Sequence, residues 1–372
     1  MRAEAAAADA ALSPARPGGR YRWRICAMLL AATTISYIDR QVLGVLAPFL
    51  QVEMGWSELD YSRIVTAFQA AYALGLLGAG AVIDRYGTRI GYALSIGIWS
   101  LAAMSHALAS GVLGFAAARF ALGLGEAGNF PSAIKATAEW FPPRERALAT
   151  GIFNSGSNIG AVVAPLLVPL IATWWGWQAA FLFTGVLSAA WVTLWLARYR
   201  TPAQQPRLGA AERAWIGSGS APAGRTPRTP WLQLLRHRQA WAFAVAKFLT
   251  DPIWWFFLFW LPKFLHAEYG LDLLHLGPPL IAIFLCADIG SITGGWLAGR
   301  LIRAGWSTAR ARKGAMLLCA LAVVPVTFAA GAGQLWLAVA LVGLATAGHQ
   351  GWSANVFTLV PDMFPRHAVA SV

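Results

Sequence analysis

The feature that most constrains this chain of 372 residues is a series of about ten apolar runs of roughly 18 to 27 residues each. A helix of about 20 residues crosses the hydrocarbon core of a bilayer, which is about 30 Å thick. Hydrophobic residues make up 58% of the chain and charged residues 12%, about half the charged share of a soluble domain. The unbroken runs exclude a transmembrane β-barrel, whose strands alternate polar and apolar residues. The sequence therefore predicts an all-α membrane protein.

The distribution of Lys and Arg predicts how the chain is oriented. With the N-terminus taken as cytoplasmic, 23 of these residues lie on the cytoplasmic side, and only Arg63 and Lys263 lie on the other. The positive-inside rule therefore predicts a multi-pass protein with a cytoplasmic N-terminus. The net charge of +13 then reflects topology, and we expect no nucleic-acid partner. The expected spans are 25–50, 61–83, 90–110, 113–137, 148–171, 178–197, 240–265, 277–301, 314–331 and 334–360.

One long polar connection, rich in Pro, Gly and Arg, divides the chain in two. We expect a disordered cytoplasmic tail over 1–22, a six-helix bundle over 23–198, a cytoplasmic linker over 199–238 and a second bundle over 239–372. The run Gly80-Ala-Val-Ile-Asp-Arg-Tyr-Gly-Thr-Arg89 has a weaker counterpart, Gly295-Trp-Leu-Ala-Gly-Arg300, 215 residues later. A parallel repeat of this kind is typical of transporters whose substrate site lies between the two halves.

The first of these runs resembles the loop signature of the major facilitator superfamily, in particular of its anion:cation symporter branch. The resemblance implies two six-helix bundles and proton-coupled uptake of a sugar acid by alternating access, in the bacterial inner membrane. Members usually have twelve helices, whereas this chain stops at Val372 near the start of an eleventh, so we expect the second bundle to be incomplete, with its last two helices missing. The runs similar to bacterial hexuronate transporters are Ala32–Arg40, Lys135–Pro142, Gly176–Phe181, Phe248–Trp254 and Gly348–Gln350.

Four ionisable residues lie deep within the predicted spans, where charge is costly and usually functional. Asp39 and Arg40 are about 14 residues into the first span, and Arg119 and Glu126 are two helical turns apart in the fourth. Burial favours the neutral form of a carboxyl group and a nearby Arg opposes it, so Glu126 is a candidate proton carrier. A structural ion pair between Arg119 and an acid such as Asp39 is the alternative. The resemblance implies proton coupling at Asp39 and Glu126, with Arg119 beside them.

An anionic sugar needs a cation for its carboxylate, and the Arg side chain offers two parallel donors. Arg40 fits this role, and the resemblance implies substrate contacts at Tyr37, Arg40 and Tyr72. Asn154 is a further candidate from the first half. For the candidates of the second half, an interfacial ring or an interhelical hydrogen bond is an equally open interpretation. These are Trp254, Gln350 and Asn355.

Asp84, Arg85 and Arg89 follow the second span on the predicted cytoplasmic side, too far from the midplane to bind substrate. We expect them to act in gating, because charges at this position can hold two bundles together in one state and release them in the other. The segment Glu139–Arg146 is the expected partner. A solvated turn without a gating role is the alternative.

Two smaller expectations concern the second half. Lys247 and Asp251 are four residues apart and are expected to neutralise each other. His349, within the last span, is expected to be uncharged and hydrogen-bonded, with a proton relay as the alternative.

The function that these observations favour is proton-coupled symport of an organic anion, a hexuronate or a related sugar acid. Carriage of another carboxylate, such as galactonate, glucarate or an aromatic acid, is the alternative, and a drug exporter is a weaker one because Arg40 and Arg119 would repel cations. We do not expect an enzyme, since neither His-Glu-x-x-His nor Gly-x-Ser-x-Gly occurs. Cys26, Cys286 and Cys319 lack metal-ligand or redox spacing, so no metal or cofactor is expected. The expected partners are a small anion, protons and the bilayer, and we expect a monomer.

Overall fold

The computed structural model of the chain describes residues 19–218 and 236–363. Residues 1–18 of the expected tail and 219–235 of the expected linker therefore lie outside the described residues. Helices dominate the described part, which also contains two short 3-10 turns, His106–Leu108 and Val324–Phe328. The helices are α1 Tyr21–Met54, α2 Glu58–Ser105, α3 Val112–Glu126, α4 Asn129–Trp140, α5 Pro143–Asn154, α6 Gly156–Trp175, α7 Trp177–Arg198, α8 Ala210–Gly217, α9 Arg238–Tyr269, α10 Gly277–Arg303, α11 Thr308–Val323 and α12 Leu335–Met363.

A helical fold suits a membrane interior, because backbone polar groups there must be hydrogen-bonded within the helix itself. Among the described residues, six stretches are long and apolar enough to cross a bilayer. They are Glu58–Leu108, Leu148–Trp175, Trp177–Arg198, Arg238–Tyr269, Gly277–Arg303 and Thr308–Phe328.

Helix α2 is two predicted spans joined at a sharp bend. Its start is fixed by a capping box, in which the Ser57 hydroxyl accepts from the Asp60 amide and the Asp60 carboxylate accepts from the Ser57 amide. The bend is at Gly87, which has φ 76° and ψ 161°. A side chain is strained at a positive φ, so the glycine of the 80–89 run is required by the backbone.

The expected continuous spans 113–137 and 148–171 are each interrupted, which corrects the sequence-based prediction. The first ends as α3 at Glu126 and resumes as α4 at Asn129, and Gly125 and Gly128 flank the interruption. The second begins earlier than expected, at Pro143, and changes from α5 to α6 at Ser155. Glycine is a poor helix former, so a helix is easily interrupted where glycines occur. Discontinuous helices in transporters commonly adjoin a substrate or ion site.

The chain divides into two compact units. The first comprises residues 1–39, 56–160 and 178–223. Its core is built from aromatic side chains of α2, α4 and α7, among them Tyr92, which contacts the rings of Trp191 and Trp195 edge-on. The domain boundaries expected at residues 198 and 239 stay a prediction.

The second unit comprises residues 40–55, 161–177 and 224–372, so it includes the second half of α1. That half packs closely on α9, because a Cβ atom at Gly44 would lie 2.8 Å from the carbonyl oxygen of Leu258. Helices α10 and α12 meet through small residues, where Gly290 faces Ala347 and a Cβ atom at Gly294 would lie 2.5 Å from the Cα atom of Gly351. Small residues let helix backbones approach, which is how membrane helices associate without a hydrophobic driving force.

Candidate functional site: a buried cluster of charges

Three charged side chains predicted from the sequence lie together in the first unit. Asp39 of α1 is 2% exposed, and Arg119 and Glu126 of α3 are fully buried. The charges of Arg119 and Glu126 both act on the Asp39 carboxyl group. The seven-residue spacing of Arg119 and Glu126 places them on one face of α3, as the sequence predicts. Glu126 is the last residue of α3, directly at the interruption before α4.

Each of the two acids accepts a hydrogen bond from a buried serine that the sequence analysis missed. The Ser36 hydroxyl of α1 donates to Glu126 over 3.1 Å, and the Ser188 hydroxyl of α7 donates to Asp39 over 3.1 Å. Ser36 lies three residues before Asp39 and could have been found from its position on that helix face. Ser188 lies 149 residues from Asp39, and no local pattern connects them.

Arg119 lies beside an aromatic ring. Its guanidinium carbon lies 5.8 Å from the ring centre of Phe68, a cation-π distance. Phe68 in turn stacks on Tyr72 with ring centres 5.9 Å apart and an interplanar angle of 13°. The expected substrate contact Tyr72 therefore lies one ring away from the buried charge cluster.

The other candidates of the first unit lie on α1 and α5. Tyr37 is half-buried where α1 touches α6, since a Cβ atom at Gly160 would lie 2.6 Å from the Cβ atom of Tyr37. Asn154 is exposed and ends α5, immediately before the interruption at Ser155. Both therefore flank a helix contact or a helix end.

Arg40, the next residue after Asp39, lies in the second unit and is 2% exposed. Its guanidinium carbon is 5.5 Å from the ring centre of Trp255 on α9. The sequence analysis proposed the neighbouring Trp254, which instead stacks on His349 with ring centres 5.9 Å apart. Adjacent residues of a helix point about 100° apart, so either Trp could have been the one facing Arg40.

The remaining candidates of the second unit join α9, α10 and α12. The expected Lys247–Asp251 pair is confirmed with a distance of 2.5 Å, and the Lys247 ammonium also donates to the Ser353 hydroxyl. The Nε2 atom of His349 lies 2.9 Å from the carbonyl oxygen of Thr250, which can only accept, so this nitrogen carries a proton. Gln350 is half-buried.

Asn355 has the structural role that the sequence left open. Its amide nitrogen donates to the carbonyl oxygens of Gly294 and Gly351, at 3.0 and 2.9 Å, and the side chain is fully buried. This interhelical hydrogen bond joins α12 to α10 where their glycines meet. We therefore do not retain Asn355 as a substrate contact.

The charged run around the α2 bend makes its contacts within the first unit. Asp84 pairs with Lys135 of α4 over 2.7 Å, and Arg89 donates to the carbonyl oxygen of Leu196 over 2.6 Å. The guanidinium carbon of Arg85 lies 5.9 Å from the ring centre of its neighbour Tyr86. Lys135 was not among the expected partners of Asp84, which were placed in the segment Glu139–Arg146.

That segment makes other contacts. The Glu139 carboxylate accepts from the Thr88 hydroxyl over 2.6 Å and from the Tyr199 hydroxyl over 2.5 Å. Burial, with the charge of Glu139 beside it, raises the pKa of Tyr199, so its hydroxyl stays protonated as the donor. Arg146 donates to the carbonyl oxygens of Phe141 and Ala138.

A second buried ion-pair network ties the start of α1 to α5 and α8. Arg22 pairs with Glu145 over 2.8 Å and with Glu212 over 2.9 Å. The Glu212 carboxylate also accepts from the backbone amides of Tyr21 and Arg22, each over 3.1 Å, and so caps the N-terminus of α1. None of these pairings was predicted, because their separations of 123 to 191 residues leave no local signal.

In the part of the chain that the structure describes, no three His, Cys, Asp or Glu residues are grouped so that they could hold a metal ion. The buried cluster itself offers carboxyl groups, a guanidinium and hydroxyl donors. Such a group can take up and release protons and can rearrange ion pairs.

Comparison with known proteins extends this picture. The sequence profile described as the Major Facilitator Superfamily matches residues 29–372. A hexuronate transporter of Escherichia coli strain K12 is 35% identical over 360 residues, which cover 94% of this chain and 82% of that protein. A galacturonate transporter of Dickeya chrysanthemi is 39% identical over 279 residues, covering 74% of this chain and 81% of that protein. Among solved structures, a bacterial homologue of the human lysosomal transporter Spinster, in an inward-facing and unoccupied conformation, superposes with a TM-score of 0.78 at 19% identity, covering 95% of this chain and 78% of that one.

Proposed function

Because the chain belongs to the major facilitator superfamily, we propose that it imports a hexuronate or a related sugar acid together with protons. The observation that carries the proposal is the burial of Asp39, Arg119 and Glu126 in one cluster. Carboxyl groups removed from water bind a proton readily, and a neighbouring Arg makes that binding depend on how the charges are paired. The names of the hexuronate and galacturonate relatives support the substrate class.

Arg40 is the proposed ligand of the substrate carboxylate. It is buried over the face of Trp255, and its guanidinium can give a carboxylate two parallel hydrogen bonds. An aromatic face beside the cation also suits the apolar face of a sugar ring. Tyr37, Tyr72, Trp254 and Gln350 remain candidates for contacts to the hydroxyl groups, and Asn154 for a polar contact at the end of α5.

The energetics of the substrate support coupling to a cation, which we propose to be the proton. Moving one anion into a compartment that is 100 mV negative costs about 2.3 kcal/mol, so accumulation requires a cation to travel with it. In the proposed cycle, protonation of Asp39 and Glu126 releases the arginines from internal pairing and lets Arg40 bind the carboxylate. Loss of the protons on the cytoplasmic side restores the internal pairs and expels the substrate.

The conformational cycle is alternating access, with two states a few kcal/mol apart. Asp84, Arg85 and Arg89 at the α2 bend are the proposed gating charges, and the Asp84–Lys135 pair is the contact through which we expect them to act. We propose that the protein is a monomer in the bacterial inner membrane. The 23 to two distribution of Lys and Arg supports a cytoplasmic N-terminus.

The test is uptake of labelled glucuronate and galacturonate by purified protein in liposomes, with the interior more alkaline than the exterior. We expect accumulation above the external concentration, and collapse of the gradient with a protonophore should release the excess. Uptake of labelled galactonate and of a labelled lipophilic cation is measured in the same way for comparison. Transport of the cation without either hexuronate would overturn the substrate class, and accumulation that ignores the pH gradient would overturn the coupling.

A further inference from the structure

A chain of two hydrogen bonds leads from an indole to one of the buried acids. The Nε1 atom of Trp99 on α2 donates to the Ser188 hydroxyl over 2.9 Å, and that hydroxyl donates to Asp39 over 3.1 Å. Trp99 and Ser188 are fully buried and Asp39 is 2% exposed. All three side chains belong to the first unit.

The direction of this chain follows from the chemistry of its first member. An indole nitrogen donates and cannot accept, so Ser188 must accept from Trp99. The single hydroxyl proton of Ser188 is then directed at the Asp39 carboxylate. A hydrogen bond to a charged acceptor favours the ionised form of a carboxyl group. Trp99 therefore acts on Asp39 through Ser188, without contacting it.

Close backbone packing fixes the position of Trp99. A Cβ atom at Gly125 of α3 would lie 2.6 Å from the Trp99 amide nitrogen, so α3 and α2 touch next to Glu126. On the other side, the Ser100 hydroxyl donates to the carbonyl oxygen of Gly185 on α7 over 2.7 Å. The backbone of α2 is thereby held between α3 and α7 at Trp99, whose indole is fully buried.

We infer that Trp99 and Ser188 are positioning residues that set the pH at which Asp39 takes up its proton. The inference rests on the proposed function, which assigns proton uptake to Asp39. Other groups act on the same carboxyl group: Arg119 and Glu126 from α3 and Thr184 from α7. Arg40 is the next residue of α1. Unlike these charged residues, the Trp99 indole can be replaced without changing any charge.

The protonation of Asp39 can be measured without transport, by infrared difference spectroscopy of the purified protein during a pH titration. The band of the protonated Asp39 carboxyl group is identified by its loss in Asp39→Asn. In Ser188→Ala we expect half-protonation at a pH about one unit higher than in the parent, since a donor to the charged form is lost. In Trp99→Phe we expect a smaller shift in the same direction, since Ser188 keeps its proton but is no longer oriented by the indole. The pH profile of hexuronate exchange should move in the same direction.

A matched variant controls for general damage. Trp191→Phe removes an indole hydrogen bond to the carbonyl oxygen of Met28 in the same unit. It should keep the parental titration. Equal titration in Trp99→Phe and Trp191→Phe, with both folded, would overturn the inference and leave the transport function standing. If the parent shows no Asp39-dependent band at any pH, the proposed coupling fails together with the inference.

Discussion

The hydroxyl of Ser36 lies 3.1 Å from a carboxylate oxygen of Glu126, so α1 holds the acid that ends α3. Ser36 and Asp39 are three residues apart on α1, so one face of this helix carries Asp39 and contacts the other acid of the buried cluster, Glu126. A change in the charge of Glu126 therefore alters its hydrogen bond with Ser36, near the middle of α1. This arrangement makes Glu126 the most informative single position for testing coupling.

Glu126→Gln should support exchange of labelled for unlabelled hexuronate while failing to accumulate it under a pH gradient. The amide mimics the protonated acid, so binding is kept and release of the proton is lost. Both reactions can be measured in the same liposomes, with Glu58→Gln at the exposed start of α2 as the control. Accumulation with an unaltered pH dependence would remove Glu126 from the coupling sites, and loss of exchange as well would assign it to structure or to substrate contact.

Arg40→Ala should abolish hexuronate binding and counterflow, and Arg40→Lys should weaken binding by about 10-fold to 100-fold. An ammonium cannot make the planar two-point contact of a guanidinium, and one lost charged hydrogen bond is worth about 1.5–3 kcal/mol. Calorimetric titration with glucuronate measures both variants, and Arg63→Ala, at an exposed arginine of α2, is the matched control. Parental affinity in the Lys variant would contradict two-point recognition, and parental affinity in the Ala variant would contradict the site itself.

Asp84→Asn should leave hexuronate affinity nearly unchanged and shift the population towards the inward-open state. The Asp84–Lys135 pair is partly exposed, so its direct loss costs only about 0.2–1 kcal/mol, which changes the ratio of the two states by up to about 5-fold. A single cysteine at position 151, where the structure leaves open space, reports the change by its labelling rate in a background without native cysteines. Lys135→Gln should give the same shift. Impaired transport with unchanged labelling would indicate a defect of folding or insertion.

Glu212→Ala should lower the stability of the folded protein by about 3 kcal/mol, because it leaves the buried Arg22 with fewer partners and uncaps α1. Thermal unfolding in detergent measures the loss as a lower melting temperature. Arg213→Ala, an exposed neighbour on α8, should change it little. A melting temperature equal to that of the control would show that the network of Arg22, Glu145 and Glu212 does not stabilise the first unit.

The sequence predicted features that depend on composition and on spacing within one helix. Spans were located by apolar length, and Arg119 and Glu126 share a face because seven residues make nearly two turns. The bend at Gly87 adjoins the predicted end of the second span, since the glycine belonged to a recognisable run. These properties are local, so one sequence carries them.

Partners on distant helices could not be predicted in the same way. Trp255 lies beside Arg40 and Lys135 pairs with Asp84, and neither contact was predicted, because helix rotation and crossing decide which residue is nearest. The interruptions after Glu126 and at Ser155 were missed for a related reason: apolar length shows where a span lies and says nothing of a turn within it. Asn355 could serve a ligand or a helix contact by chemistry alone, and the two carbonyl oxygens beside it decide for the helix.

The carboxylate at the N-terminus of α1 comes from a residue 190 positions after Arg22. A ribosome making this chain releases α1 first and Glu212 only after α2 to α7 have been synthesised. The first turn of α1 therefore lacks this acceptor until every helix between them has been synthesised. Closure of this contact marks the moment in biosynthesis at which the first unit has all of its helices.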